Sequence, residues 1–484
     1  MHRCIWAAVL LIAMGDTAVS SDAARKLPET PQLFVDLARV ENAHPSGRSK
    51  RMRGIERVFH QAAQHPHPVL SPEAPWEKRG FTCSVIYDEE ERLIKMWYLT
   101  GLAEGRHVTC YAVSQDGLAW RRPELGLHEF EASKANNIVI PPDYHEGMDH
   151  WESVFKDPLE ADPAQRYKAL GWSSYDWDGP LSGIYTAVSP DGLRWTHTPE
   201  PVFRFHPRPG SDDLGPVGDA HCLMIDTLRK RYVAFLRHLP HRAIAFSDDF
   251  VHWTQPETFL RTLHHEQELY NNSGFVYGDQ YLGLLSVFDL NPKRHDLNCW
   301  LISSRDGRRW ERCPAQAPII ACGGAGEWNR FMAWNGGSPP IRVGDRLYIY
   351  YRGSARRHGP YEGPDNTDVP VCVGLATLRA DGFASLNASF DGGEVVTTPW
   401  AIEGGALLLT AKCDYGEIRV ELLDEADQPL PGYSLEECLP VCGDGTDLDV
   451  RWKGQADLSG AAGRTVRLRL CLKNARLYSY RCTV

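Results

Sequence analysis

No CxxC pair, no Gly-x-Ser-x-Gly elbow and no Gly-rich phosphate loop occurs in the chain. These absences set aside a paired-cysteine zinc site, a serine-hydrolase elbow and a phosphate cradle. His264-His-Glu-Gln-Glu268 lacks the second histidine of a zinc-protease helix. Positive charge is also short, with 52 Lys plus Arg against 63 Asp plus Glu and a net charge of −11. A nucleic-acid or anionic-membrane binder needs a cationic face, so both partner classes are disfavoured. Past residue 20 no apolar run approaches the ~20 residues that cross a bilayer as a helix. What the chain does have is core material. Its 484 residues are 43% hydrophobic and 24% charged, which argues for folded domains over disorder. Fifteen tryptophans supply flat apolar surface for packing or for ligand stacking.

Residues 1–20 read as a secretory signal, with His2 and Arg3 ahead of an apolar run from Ile5 to Met14 and small residues at Ala18 and Ser20. The expected product is exported, to the periplasm or the extracellular medium, with no membrane span. Cys4 leaves with the leader, so the thirteen cysteines become twelve. Their scattered spacing suits a structural role, as core thiols or a few disulfides, better than a metal site.

The strongest signal is a repeat. Ser114-Gln-Asp-Gly-Leu-Ala-Trp120 returns as Ser189-Pro-Asp-Gly-Leu-Arg-Trp195, Ser247-Asp-Asp-Phe-Val-His-Trp253 and Ser304-Arg-Asp-Gly-Arg-Arg-Trp310, with a looser copy around Asp381. The Asp residues at 116, 191, 249, 306 and 381 lie 75, 58, 57 and 75 apart. Each copy follows a β-rich segment, preceded by a second that opens on a polar residue (Arg166-Tyr, Arg231-Tyr, Gln280-Tyr) and by a third that ends in a turn aspartate. Asp-Gly suits a tight hairpin, because Gly accepts positive φ and Asp bonds its own backbone. A four-stranded unit at this period predicts an all-β, five-bladed β-propeller over residues 30–395. From Pro399 the repeat stops. Gly416-Glu-Ile-Arg-Val-Glu-Leu and Val466-Arg-Leu-Arg-Leu-Cys-Leu alternate at period two, which predicts a small β-sandwich over residues 399–484. That segment is expected to pack, or else to bind carbohydrate.

Several stretches carry a resemblance: Pro75-Trp-Glu77, Tyr111 to Trp120, Asn136-Asn-Ile-Val, Phe155-Lys-Asp-Pro, Gly326-Glu-Trp-Asn, Tyr350-Tyr-Arg-Gly and His358-Gly. Through them the chain resembles the five-bladed propeller glycoside hydrolases, the family 32 and 43 superfamily of invertases, levanases, arabinanases and xylosidases. More narrowly it is similar to a group of exported bacterial proteins labelled family-32-like. The resemblance implies hydrolysis of O-glycosidic bonds in a polysaccharide or its oligomers. The invertase-type Asn-Asp-Pro-Asn-Gly motif is absent, and Lys156-Asp157-Pro158 falls in a turn of the repeat.

Such a fold places ligands on its axis, at the starts of the innermost strands. Glycoside hydrolysis needs two carboxylates there, one as acid and one as nucleophile or base. Counting back from Asp88, Asp157, Asp226 and Asp279, the aspartates that end the third segments, gives Glu77 at eleven residues, Asp149 at eight, Glu152 at five, Asp219 at seven and Glu268 at eleven. Asp219 is the leading catalytic candidate, with Asp149 at nearly the same offset and Glu268 or Glu77 as acid partner. His150 is a candidate hydrogen-bond donor to sugar, with Glu152 beside it. Trp76, Trp151 and Trp328 are candidate stacking rings, and Arg330, Arg352 and His358 would suit an acidic glycan. No metal site or cofactor is expected, although the fold has room for an axial calcium ion. The competing reading is a non-catalytic carbohydrate-binding propeller. A sialidase fits less well, since its Asp and Gly are not adjacent and no arginine triad stands out.

Overall fold

Alternation and enclosure together decide where strands form. Thr465–Lys473 alternates half-buried and buried residues, the mark of a sheet with one covered face, whereas His221–Asp226 and Leu93–Gly101 are buried along nearly their whole length. An antiparallel strand with both faces covered must lie in a sheet packed between others. The computed structural model describes residues 25–483 apart from 45–47, 78, 103–106, 143–147, 174–178, 180 and 360–368, so residues 1–20 lie outside it. The side chains of residues 79–82, 148–150 and 152 also lie outside the described set. Among the described residues the helical content is two short 3-10 turns, Pro163–Gln165 and Ser459–Ala461. The protein is all-β.

The sheets follow the sequence repeat. The first repeat forms a four-stranded antiparallel sheet from Arg79–Asp88, Leu93–Gly101, His107–Ser114 and Ile138–Ile140. The second forms a five-stranded sheet that starts on Met148–Lys156 and Tyr167–Ser173. The third is His221–Asp226, Arg231–His238, His241–Ser247 and Glu257–Leu260. The fourth and fifth share one nine-stranded sheet, in which Leu297–Ser304 meets Met332–Asn335 in parallel. Its far edge is completed by Ala63–Gln64 from the N-terminal side of the chain, paired with Cys372–Arg379.

Two recurrent devices fasten these sheets. In the Ser-x-Asp turn the backbone N–H of Gly117 donates to Ser114 Oγ at 2.8 Å, while those of Leu118 and Ala119 donate to Asp116 Oδ1 at 2.8 and 2.9 Å. The turns at Asp191, Asp249 and Asp306 repeat this pattern. At the third turn Phe250 occupies the glycine position at φ 66°, and it is retained by T-shaped packing on Tyr232 and Trp253. The second device links neighbours. The aspartate closing one repeat's first strand accepts the tyrosine hydroxyl of the next repeat: Tyr167 to Asp88 at 2.9 Å, Tyr232 to Asp157 at 2.7 Å and Tyr281 to Asp226 at 2.8 Å. This is the place of Lys156-Asp157-Pro158 in the fold.

An eleven-stranded sheet gathers the rest. Its spine is the 18-residue strand Ala406–Leu423, paired with Val441–Val450, Thr465–Lys473 and Ala475–Thr483. The sheet also takes in Gln32–Leu33, Ile55–Phe59, Ala384–Ala388 and Gly393–Val396, residues that precede 399. The twelve cysteines from Cys83 to Cys482 are free thiols. Most are buried among apolar side chains, and Cys442 is exposed.

Candidate functional site

Asp219 stands just ahead of the first strand of the third repeat, and Glu268 is the second residue of the first strand of the fourth, Gln267–Tyr277. Between them reaches Arg237, near the end of Arg231–His238. Its Nη1 donates to Asp219 Oδ1 and its Nε to Glu268 Oε1 at 2.8 Å. Two carboxylates from successive repeats therefore share one planar guanidinium, whose fork geometry suits such pairing. The side chains are 26%, 10% and 15% exposed for Asp219, Glu268 and Arg237, so the pair opens on its Asp219 side. Gly218 leaves room for the arginine, since a Cβ there would lie 3.2 Å from Arg237 Cδ.

An aromatic wall stands beside the ion pair. The Arg237 guanidinium lies 4.5 Å from the centre of the Tyr270 ring. The strand register shifts between Leu269 and Asn271, a bulge at Tyr270 that re-aims its side chain. Trp334, from Met332–Asn335, packs on Tyr270 at 4.6 Å between centroids and carries Arg352 at 4.6 Å over its face. His358 meets Tyr270 edge-on at 4.7 Å and also touches Trp334 and Phe288.

Charge sets the state of these groups. Burial works against the Arg237 charge, but Asp219, Tyr270 and Glu268 outweigh it and hold the guanidinium above its ordinary value. Burial, reinforced by Arg352 and Arg237, pushes the His358 imidazole down to about 3, so the ring is neutral at neutral pH. Burial raises Tyr270, and the Asp219 charge adds to the rise. Beneath the pair, fully buried Arg242 donates to the carbonyl oxygens of Ala220 and Tyr270, both at 3.0 Å, and to Asn272 Oδ1 at 2.8 Å. It ties together the two segments that carry the carboxylates.

The candidates from sequence divide clearly. Asp219, Glu268, Arg352 and His358 come together in this cluster. Glu77 does not join them. It is 2% exposed and accepts from Tyr98 Oη at 2.5 Å, from Arg122 Nε at 2.8 Å and from the backbone N–H groups of Glu73 and Ala74. Trp76 beside it donates to Asn137 and packs edge-on against Phe130. Trp151 is 1% exposed and packs on Trp195, and Trp328 stacks on Tyr351. These rings fill cores. Arg330 is exposed and lies over Phe331. The side chains of Asp149, His150 and Glu152 lie outside the described residues, but the backbone pairing passes over Asp149 and Glu152 as bulges at the start of the second repeat.

No family model and no curated protein matches the sequence. Solved structures are similar at low identity. A structure named as a glycoside hydrolase shares 13% identity at a TM-score of 0.48, covering 66% of this chain and 92% of its own. A glycosyl hydrolase from Bacteroides ovatus shares 15% identity at 0.47, covering 70% and 97%. The third belongs to the GH130 family of mannoside phosphorylases, described as containing glycoside hydrolases that target β-1,2 mannosidic linkages in Candida mannan. It shares 16% identity at 0.47, covering 66% and 94%.

Arg237, Tyr270, Trp334 and Arg242 belong to the cluster and have no sequence motif of their own. The one usable signal was register, because Arg231-Tyr-Val-Ala-Phe-Leu-Arg237 repeats the second-strand pattern and ends level with the carboxylates. Among the described residues no group of three or more His, Cys, Asp or Glu is gathered as for a metal ion. No helix among them is long and apolar enough to cross a membrane.

Proposed function

We propose that the chain is an exported glycoside hydrolase acting on a polysaccharide or its oligomers, built as a five-bladed β-propeller followed by a β-sandwich. The observation that carries this reading is the meeting of Asp219 and Glu268, from near the starts of the first strands of neighbouring repeats, on Arg237 beside an aromatic wall. The propeller reading is supported by contacts between first strands that run from repeat to repeat. Ser84 Oγ donates to the Val154 carbonyl, the Leu223 N–H donates to Ser153 Oγ, Cys222 Sγ donates to Asn271 Oδ1, and the Gly337 N–H donates to the Cys83 carbonyl.

In this reading Asp219, the more open carboxylate, acts as base on water or as nucleophile at the anomeric carbon. Glu268, gripped by Arg237 through Nε and through Nη2 at 2.5 Å, holds the arginine in place. The acid that protonates the leaving oxygen is a second carboxylate, for which the sequence candidate Asp149 stands at the start of the preceding repeat. Tyr270 and Trp334 are buried and back the ion pair, and neutral His358 serves as a hydrogen-bonding group beside them. The leader over residues 1–20 accounts for export.

The test is reducing-sugar release over a glycan panel. Asp219→Asn is expected to lose about 10²–10⁴-fold in turnover, the usual worth of an acid–base group. Unchanged turnover removes Asp219 from the mechanism. One observation favours a second reading, a binding propeller without chemistry: both described carboxylates are already matched by a cation. Oligosaccharide binding by calorimetry with no product formed selects that reading.

A further inference from the structure

Four segments of the eleven-stranded sheet meet away from Asp219 and Glu268. They are the segments around Gly54–Glu56, Asn387–Ser389, Lys412–Tyr415 and Asn474–Arg476, and together they line an open cleft of about 700 Å³. A volume of this size suits a small ligand or a short stretch of a chain.

The cleft is built around a displayed ring. Tyr415 is 89% exposed at a bend in the middle of Ala406–Leu423, where the strand changes its pairing partners. The bend is fixed. The Tyr415 carbonyl accepts from Asn474 Nδ2 at 2.9 Å, and the next residue, Gly416, packs so closely that a Cβ would strike the carbonyl oxygens of Lys473 and Asn474. Lys412 is held by Asp414 at 2.9 Å and by Asp444 at 2.8 Å, which keeps this wall ordered. A second ring, Phe390, is 71% exposed next to the lining residue Ser389 and lies under Lys473 at 4.7 Å.

The lining chemistry narrows the ligand. Carboxamides from Asn387 and Asn474, acids from Glu56 and Asp414 and bases from Lys412 and Arg476 occupy one cleft. A phosphate or a basic peptide would call for one sign of charge. A neutral polyol takes donors and acceptors alike, and a pyranose adds an apolar face for a tyrosine ring. The geometry points to a second carbohydrate-binding site on the C-terminal sheet, with Tyr415 as its platform and a neutral polysaccharide strand as its ligand. The choice of ligand rests on the glycan-active reading above. The site would hold the polymer while the ion-paired centre works on it.

The test is affinity electrophoresis of the full chain through native gels containing soluble glucomannan, arabinoxylan or levan. Wild type is expected to be retarded in at least one gel. Tyr415→Ala should lose that retardation by about tenfold and Tyr415→Phe should keep it, each measured against its own mobility in a glycan-free gel. The Tyr415 ring is almost wholly in solvent, so its loss leaves the fold intact, which an unchanged Tm verifies. Absence of retardation in all three gels overturns the site, as does equal retardation of Tyr415→Ala. If no glycan is cleaved but Tyr415-dependent retardation remains, the second site stands and the hydrolase reading falls.

Discussion

Arg237 decides the character of the site at the scale of single residues, because it bridges two neighbouring carboxylates that would otherwise repel each other. Removing one partner of a largely buried ion pair leaves charge without compensation, so Arg237→Met is expected to cost about 2–4 kcal/mol in urea unfolding at neutral pH. A loss below about 0.5 kcal/mol would show that solvent already compensates Asp219 and Glu268. His358 gives a prediction of opposite kind. In the unfolded chain its imidazole takes a proton near 6.5, whereas in the fold burial delays this to about 3. Between those values the unfolded state binds the extra proton, so stability falls as the pH drops below about 6.5. His358→Asn removes this contribution. The gap in Tm between wild type and variant should narrow from about pH 7.5 to about pH 4.5, and parallel curves would contradict the assignment. The carboxylates of the cluster were legible in the sequence because their distance from each turn aspartate is set by strand length. Glu77 has the same eleven-residue offset as Glu268, yet its fate is set by Arg122, a partner 45 residues away that no offset reveals.

At the scale of elements, the hydroxyl-to-carboxylate links are the recurring fastener between sheets. The Tyr232–Asp157 hydrogen bond is buried at both ends, so Tyr232→Phe is expected to cost about 1–2 kcal/mol by leaving the Asp157 oxygen without its donor. Tyr415→Phe, exposed in the other sheet, should cost nothing by the same measurement. Sequence made these elements visible for a physical reason. Ser-x-Asp-Gly recurs because a hydroxyl and a carboxylate satisfy the same three backbone N–H groups each time, and Arg-Tyr recurs because each tyrosine reaches back to the preceding aspartate. The tight-hairpin expectation already had the aspartate bonding its own backbone, and the structure adds the serine hydroxyl as a second acceptor. The edges were hidden. Ala63–Gln64 is too short to register as a strand on its own and becomes one by pairing with Cys372–Arg379.

At the scale of the whole molecule, Asp381, whose place in the repeat suggested one more turn, ties two sheets to each other. It is 4% exposed and accepts from Tyr277 Oη of the fourth repeat at 2.7 Å, from Thr410 Oγ1 at 2.8 Å and from Ser479 Oγ at 2.6 Å in the eleven-stranded sheet. One carboxylate thus bonds across two sheets. Asp381→Ala is expected to cost about 2–4 kcal/mol by stranding the Tyr277 and Ser479 hydroxyls, and to split a single calorimetric transition into two. One unshifted transition would mean that apolar packing alone couples the sheets. A final consequence follows from the pairing of Gln32–Leu33 with Tyr480 and Ser479. Most of the described chain separates these paired strands, so this part of the sheet closes only after Ser479 and Tyr480 have been synthesised. Chain closure over such sequence distance is slow, and a product lacking Ala475–Thr483 is left with a bare sheet edge open to other chains.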